Sequence, residues 1–382
     1  MLNHNQAYWQ QKGARLTVEA IVAQPRLWQE GFESIKARQP EIDAFWSKSD
    51  SHTRIVITGA GSSLLAAQAS VNWLRSVVPN SIDVIPATDL VLAPDNIPEN
   101  CVLVSVSSSG NTPETVKVVE RALAAYPKMR HLAVTNNANS RLVQLAQQHA
   151  EGLFIPVPEG TSNGSFAATS EFTVPLWYLM LLVAPAGWAE AEKVLPILQR
   201  GMHHFLTHYA ADIEQWAAQL RNNVVAVGSL SLKAIACETS LKLLEMGNGN
   251  VMTAWHSMLE FRHGPKLIIN RDATNIGYLA ARPEIHRYDS DMMTELTRER
   301  SPAAQVIAIG HDVLPAGSKP GDRYFHFAAP ELVDYHESWA ALIYVVFAQL
   351  AGLYSAIELG VTPDTPSSDG KVAKVAKVTV YP

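Results

Sequence analysis

Residues 107–112 read Ser-Ser-Ser-Gly-Asn-Thr and run directly into Pro113 and Glu114. Three consecutive hydroxyls and a glycine leave an apolar run, and Thr112 ahead of Pro113 marks a helix start, because proline has no N–H to lose in the first turn. Such a loop offers backbone N–H groups, the positive end of a helix dipole and the hydroxyls of Ser107, Ser108, Ser109 and Thr112 to one anion, which is what a phosphomonoester needs. The plain alternative is a set of hydroxyls that cap a helix and do nothing more. No lysine follows in the Walker pattern, so nucleoside triphosphate hydrolysis is disfavoured.

A second turn, residues 58–63 (Thr-Gly-Ala-Gly-Ser-Ser), also ends an apolar run and opens a helical one. It half-matches the dinucleotide fingerprint G-x-G-x-x-G. Leu64 stands where the third glycine belongs, and no acidic residue ends a second strand at the right distance, so a dinucleotide site is the weaker reading. A third polar turn, residues 159–165, precedes Ala168, Thr169 and Ser170 at a helix start. Three hydroxyl-rich turns in one stretch of chain suit a polyhydroxylated, phosphorylated ligand, and a sugar phosphate fits.

The second half carries different chemistry. Glu238, Lys242 and Glu245 stand four and three residues apart, so on a helix they share one face. Taken alone, such a trio is a surface ion pair of about 0.2–0.5 kcal/mol. The apolar neighbours Ala236, Leu241, Leu243 and Leu244 argue instead for partly buried, functional charges. Residues 260–266 read Glu-Phe-Arg-His-Gly-Pro-Lys, where a histidine held by an arginine and a Gly-Pro turn is a candidate proton donor near neutral pH. An isolated histidine is more often structural. His203, His204 and His256 lack such a context, and no Cys/His/Asp spacing indicates a metal site.

The elements that must position these residues form a repeat. Apolar, strand-like runs at 54–59, 101–106, 131–135 and 152–157 line up with runs at 223–228, 275–280, 305–309 and 324–329, each followed by a helical stretch. Alternating strand and helix predicts an α/β protein with two parallel sheets, each covered on both faces. The expected divisions are a helical segment 1–50, a first sandwich 51–188, a helical connector 189–222, a second sandwich 223–360 and a tail 361–382 ending in a short strand. In such sheets ligands sit at the carboxyl ends of the strands, which is where all three hydroxyl-rich turns fall. Residues 338–357 lack charge over a bilayer's length, but Gln349, two serines, two tyrosines and acidic flanks favour a buried helix. Residues 172–189 read the same way, broken by Pro175 and Pro185.

Composition narrows the class further. Of 382 residues only 17% are charged and 47% are hydrophobic, which predicts surface buried between domains or subunits and hence an oligomer. A net charge of -6 without any like-charged run leaves no electrostatic footprint for nucleic acid. Cys101 and Cys237 cannot make a disulfide framework, and the start of the chain has no basic n-region or apolar h-region, so a cytoplasmic protein is expected.

Over residues 20–382 the chain resembles the double sugar isomerase (SIS) domain family. Within it, the chain looks most like the tagatose-6-phosphate ketose/aldose isomerase or galactosamine-6-phosphate deaminase type called AgaS. The marks are residues 107–114, 238–245 and 261–266, and the tail Thr-Pro-Asp-Thr-Pro-Ser-Ser-Asp-Gly at 362–370. The resemblance implies two tandem SIS domains, each a three-layer α/β/α sandwich of flavodoxin-like type, with no cofactor and no metal. By likeness to the isomerase half of glucosamine-6-phosphate synthase, the phosphate falls to Ser107, Ser108, Ser109, Thr112 and Ser63, and sugar contacts fall to Thr169 and Ser62. Glu245 takes the proton-shuttling role with Glu238 and Lys242 in support. His263 takes ring opening, a residue contributed across a subunit boundary in that family, so a homodimer or higher homo-oligomer is implied. A Schiff-base lysine maps to the tail, with Lys377 the best local match and Lys371 and Lys374 competing. No glutaminase domain precedes the first strand, so release of ammonia is the implied direction. Simple ketose/aldose isomerisation and a non-catalytic sugar-phosphate sensor are the alternatives.

Overall fold

The structure is a computed structural model that describes residues 2–314, 317–367, 370–375 and 378–381. The front half builds a parallel sheet from β1 (Arg54–Gly59), β2 (Ile82–Pro86), β3 (Cys101–Val106), β4 (Arg130–Val134) and β5 (Gly152–Phe154). The back half builds a second from β6 (Asn223–Gly228), β7 (Met252–Ser257), β8 (Thr274–Tyr278), β9 (Gln305–Gly310) and β10 (Arg323–His326). The strand orders, β2-β1-β3-β4-β5 and β7-β6-β8-β9-β10, are the same topology repeated.

By contacts the chain divides into two compact units. The N-terminal unit holds residues 26–163 and 170–191 with the described tail beyond 369, and the C-terminal unit holds residues up to 25, 164–169 and 192–367. In the N-terminal unit β3 and β4 are buried at every residue, as strands covered on both faces must be. Leu103 and Ala133 pack beneath Val118, Val119 and Leu142 of the helices Pro113–Ala125 and Arg141–Gln148. The helices Ser62–Val77 and Ser170–Val183 pack together in the same unit, and the second of these is buried throughout. Pro175 lies inside that helix rather than breaking it. It has no N–H for the Glu171 carbonyl, which instead accepts from the Asn136 side-chain amide at 3.4 Å.

In the C-terminal unit the helices Ser231–Met246 and Glu337–Glu358 pack against each other. Gly352 permits that approach, since a Cβ there would lie 2.7 Å from the Met246 sulfur and 3.3 Å from the Lys242 carbonyl. The bilayer-length apolar segment is the second of these helices, and 94% of its most apolar window is buried inside the protein, so it is a core helix.

The sequence pattern shows four strands per half and the structure has five. The additional strands, β2 and β7, are sheet edges beside β1 and β6. β2 is short and closes on Pro86, and β7 (Met-Thr-Ala-Trp-His-Ser) is only half covered, so neither shows the continuous apolar run of a central strand. The short strand expected in the tail does not form among the described residues.

Candidate functional site

The order β2-β1-β3 sends the crossovers from β1 and β3 to opposite faces, which opens a crevice between the carboxyl ends of these two strands. The turns 59–63 and 107–112 meet there. Gly59 makes the approach possible, because a Cβ on it would stand 2.7 Å from the Val106 carbonyl oxygen. The Ser108 N–H donates to Ser63 Oγ at 3.3 Å and so ties the two turns together. Ser107 Oγ lies 2.9 Å from Thr112 Oγ1 and accepts from the Gly110 N–H at 3.1 Å. Gly110 turns with φ +63 under the helix start at Ser140, where a Cβ would meet Ser140 Oγ at 2.1 Å. Thr112 is the N-cap of the helix Pro113–Ala125, and it makes no side-chain cap bond, because its hydroxyl is turned to Ser107. The Thr112 hydroxyl is therefore not spent on capping the helix. Ser63, Ser107, Ser108 and Thr112 are drawn together at a helix N-terminus, with Ser62 and Ser109 part-exposed beside them.

Two residues outside the sequence-derived set join this cluster. Asn136, just past β4, donates its N–H to the Ser108 carbonyl and its Nδ2 to Ser108 Oγ, both at 3.1 Å. Its only signal in the sequence is the polar turn after the 131–135 run. Glu171, only 4% exposed, accepts from Ser162 Oγ and holds Lys374 Nζ 2.9 and 2.8 Å from its two oxygens. Lys374 is thus seated on a buried carboxylate of this unit. Lys371 is exposed and Lys377 lies outside the described residues. Thr169 is buried and belongs by contacts to the C-terminal unit, where its carbonyl accepts from the Gln349 amide at 3.3 Å.

The equivalent crevice of the C-terminal unit is occupied by its own side chains. After β8 the turn is Leu-Ala-Ala-Arg-Pro, without a hydroxyl. The Ala280 N–H donates to Asp289 Oδ2 at 2.9 Å, and Ser229 Oγ donates to Oδ1 of the same carboxylate. Arg282 forks onto the buried Glu337 at 2.6 and 3.0 Å. Asp289 already takes the donors that an anion would need there, so the hydroxyl-rich loop of the N-terminal unit is the candidate anion site of the two crevices.

Glu238, Lys242 and Glu245 do share one helix face, and the face is not a surface one. Lys242 and Glu238 are fully buried, with Nζ 3.3 Å from Glu238 and 2.6 Å from Glu245, whose side chain is 32% exposed. Burial by itself would lower the Lys242 ammonium, but the two carboxylates outweigh it and hold the group above the usual lysine range. Two carboxyl groups face the one ammonium, and Glu245 is the member that meets solvent. His263 is exposed at the end of a 3-10 turn, Glu260–Arg262. Arg262 does not hold it, because that guanidinium pairs with Glu295 at 2.9 Å and Asp291 at 3.3 Å. Among the described residues no group of His, Cys, Asp and Glu could hold a metal.

A SIS domain family model matches residues 49–185. The D-galactosamine-6-phosphate deaminase AgaS of Shewanella sp. (strain ANA-3) is 30% identical over 97% of this chain and 93% of its own length. The chain belongs to the AgaS family. Crystal structures agree: a tagatose-6-phosphate ketose/aldose isomerase from Escherichia coli is 27% identical, with a TM-score of 0.86 over 99% of this chain and 98% of that one. A candidate tagatose-6-phosphate ketose/aldose isomerase from Clostridium novyi NT is 25% identical, with a TM-score of 0.93 over 100% of this chain and 99% of that one. Two tandem parallel sandwiches are therefore the fold of this AgaS-family chain as well.

Proposed function

We propose that this AgaS-family chain converts galactosamine 6-phosphate, or a close hexosamine 6-phosphate, to the ketose 6-phosphate and ammonia. The observation that carries the reading is the match to a named deaminase along nearly the whole chain, so that the phosphate loop and the carboxylate helix are both within the shared length. The loop of Ser63, Ser107, Ser108, Ser109 and Thr112 anchors the phosphate. His263 moves a proton between the ring oxygen and the C1 hydroxyl, which opens the hemiacetal. Glu245, held by Lys242 and Glu238, removes the C2 proton and returns it at C1. The enolamine becomes a C2 imine, and water hydrolyses it to the C2 ketone with release of ammonia. Thr169 and Ser62 are assigned to the sugar.

The active form is taken as a homodimer or larger. Met252, Trp255, Leu259 and Leu267 are exposed large apolar side chains on either side of His263 in sequence, the kind of surface a second copy covers. A cytoplasmic setting accords with two cysteines that are free and whose thiols burial pushes up to about 12. Ammonia and ketose should be assayed with galactosamine, glucosamine, galactose and tagatose 6-phosphates. One ammonia per ketose from a hexosamine phosphate is the expected result. Ketose from galactose 6-phosphate with no ammonia from either hexosamine phosphate would instead favour ketose/aldose isomerisation, the activity named for the Escherichia coli structure.

A further inference from the structure

The pair Glu171–Lys374 is not used by the mechanism above. Glu171 is the second residue of the helix Ser170–Val183, and its carboxylate is only 4% exposed. The backbone of Glu171 is joined to the serine-rich loop through one side-chain amide, since Asn136 Nδ2 donates both to Ser108 Oγ at 3.1 Å and to the Glu171 backbone carbonyl at 3.4 Å, while the carboxylate itself faces Ser162 and Lys374. The cation on it comes from residues 370–375, which form no helix or strand, and the Lys374 side chain is 32% exposed where its partner is buried. A buried carboxylate needs a compensating positive charge. A side chain on an irregular tail is a replaceable source of one, because nothing in a ladder or helix fixes its backbone.

We propose that Glu171 is the specificity-determining residue for the substrate amine: it is an ammonium site, and Lys374 holds it until the C2 ammonium of a hexosamine 6-phosphate takes its place. The inference rests on the hexosamine-phosphate reading and deepens it. A C2 hydroxyl brings no charge and cannot replace Lys374, so the carboxylate selects the amino sugar over its hydroxy analogue. The Ser162 hydroxyl, already donating to the same oxygen, keeps Glu171 oriented in either state.

Binding of two unreactive open-chain ligands, 2-amino-2-deoxygalactitol 6-phosphate and galactitol 6-phosphate, separates this from turnover. By calorimetry the full-length protein should bind the amino ligand more tightly. Glu171→Gln should weaken that ligand by about 10- to 100-fold, the range of a charge-assisted hydrogen bond, and leave the hydroxy ligand within about twofold. Lys374→Met, which removes the competing cation, should tighten the amino ligand and leave the hydroxy ligand alone. Equal weakening of both ligands by Glu171→Gln, or loss of both in Lys374→Met, overturns the proposal. Failure of the wild-type protein to release ammonia while it still prefers the amino ligand would count against the deaminase reading and not against Glu171.

Discussion

At the scale of single residues, the carboxylate trio shows how burial turns a common ion-pair spacing into a candidate site. The exposed version of Glu238, Lys242 and Glu245 would be worth tenths of a kcal/mol and do nothing else. Buried, Lys242 stays protonated because two carboxylates face it, and Glu245 keeps one side toward solvent. A general base usually contributes about 10²- to 10⁴-fold, so Glu245→Gln should lose at least about a hundredfold in kcat and keep its affinity for sugar phosphate. Steady-state kinetics paired with calorimetry would check this, and near wild-type turnover would remove Glu245 from the role. Ser109 is part-exposed on the proposed phosphate loop. Ser109→Ala should raise KM for the phosphorylated sugar and leave the weak binding of the unphosphorylated sugar unchanged, as a titration of both would show.

At the scale of elements, the two sheets share one topology and differ in what fills the crevice at the strand ends. In the N-terminal unit Gly59 lets two hydroxyl turns close on each other, and Gly110 lets the second turn fit under Ser140. In the C-terminal unit Asp289 occupies the corresponding place. Burial pushes its carboxyl up to about 7, against the lowering effect of its bonds from Ser229 and Ala280. Because the folded value lies above the unfolded value of about 3.9, the folded state binds the extra proton between these limits. The contribution of this group to stability is therefore complete below about pH 4, falls as pH rises to about 7 and is flat above. Urea denaturation of Asp289→Asn and wild type at pH 5 and pH 8 should show the variant gaining relative to wild type at the higher pH. A difference independent of pH would mean that Asp289 is ionised throughout.

At the scale of the whole molecule, the proposed chemistry needs a second copy if His263 serves a neighbouring chain. Glu245→Gln and His263→Ala homodimers, each inactive, should regain activity when mixed and exchanged. One intact site per heterodimer predicts about a quarter of wild-type turnover per chain under random exchange. No recovery, with exchange verified by mass, would place His263 and Glu245 in the site of a single chain. Replacing the exposed Trp255 by Asp should lower the oligomer mass in solution if that apolar surface is covered by the second copy.

Much of this was legible in the amino-acid order alone. Largely apolar runs mark β1, β3, β6 and β9 because a strand covered on both faces shows little polar side, and β4 and β8 keep enough of that pattern to be read despite buried His131 and Asn275. The proposed phosphate loop is equally local: its hydroxyls, its glycine and the proline that opens the helix are neighbours in the chain. The edge strands β2 and β7 were not legible, since a half-covered strand lacks that run. Nor were the partners of Asn136 and Glu171, or the burial of Lys242. Those depend on which segments far apart in sequence come together, and helix spacing specifies a shared face without saying whether solvent or another helix covers it. Gly352 lets the helices Ser231–Met246 and Glu337–Glu358 close on each other, a contact between segments about a hundred residues apart that no local spacing announces.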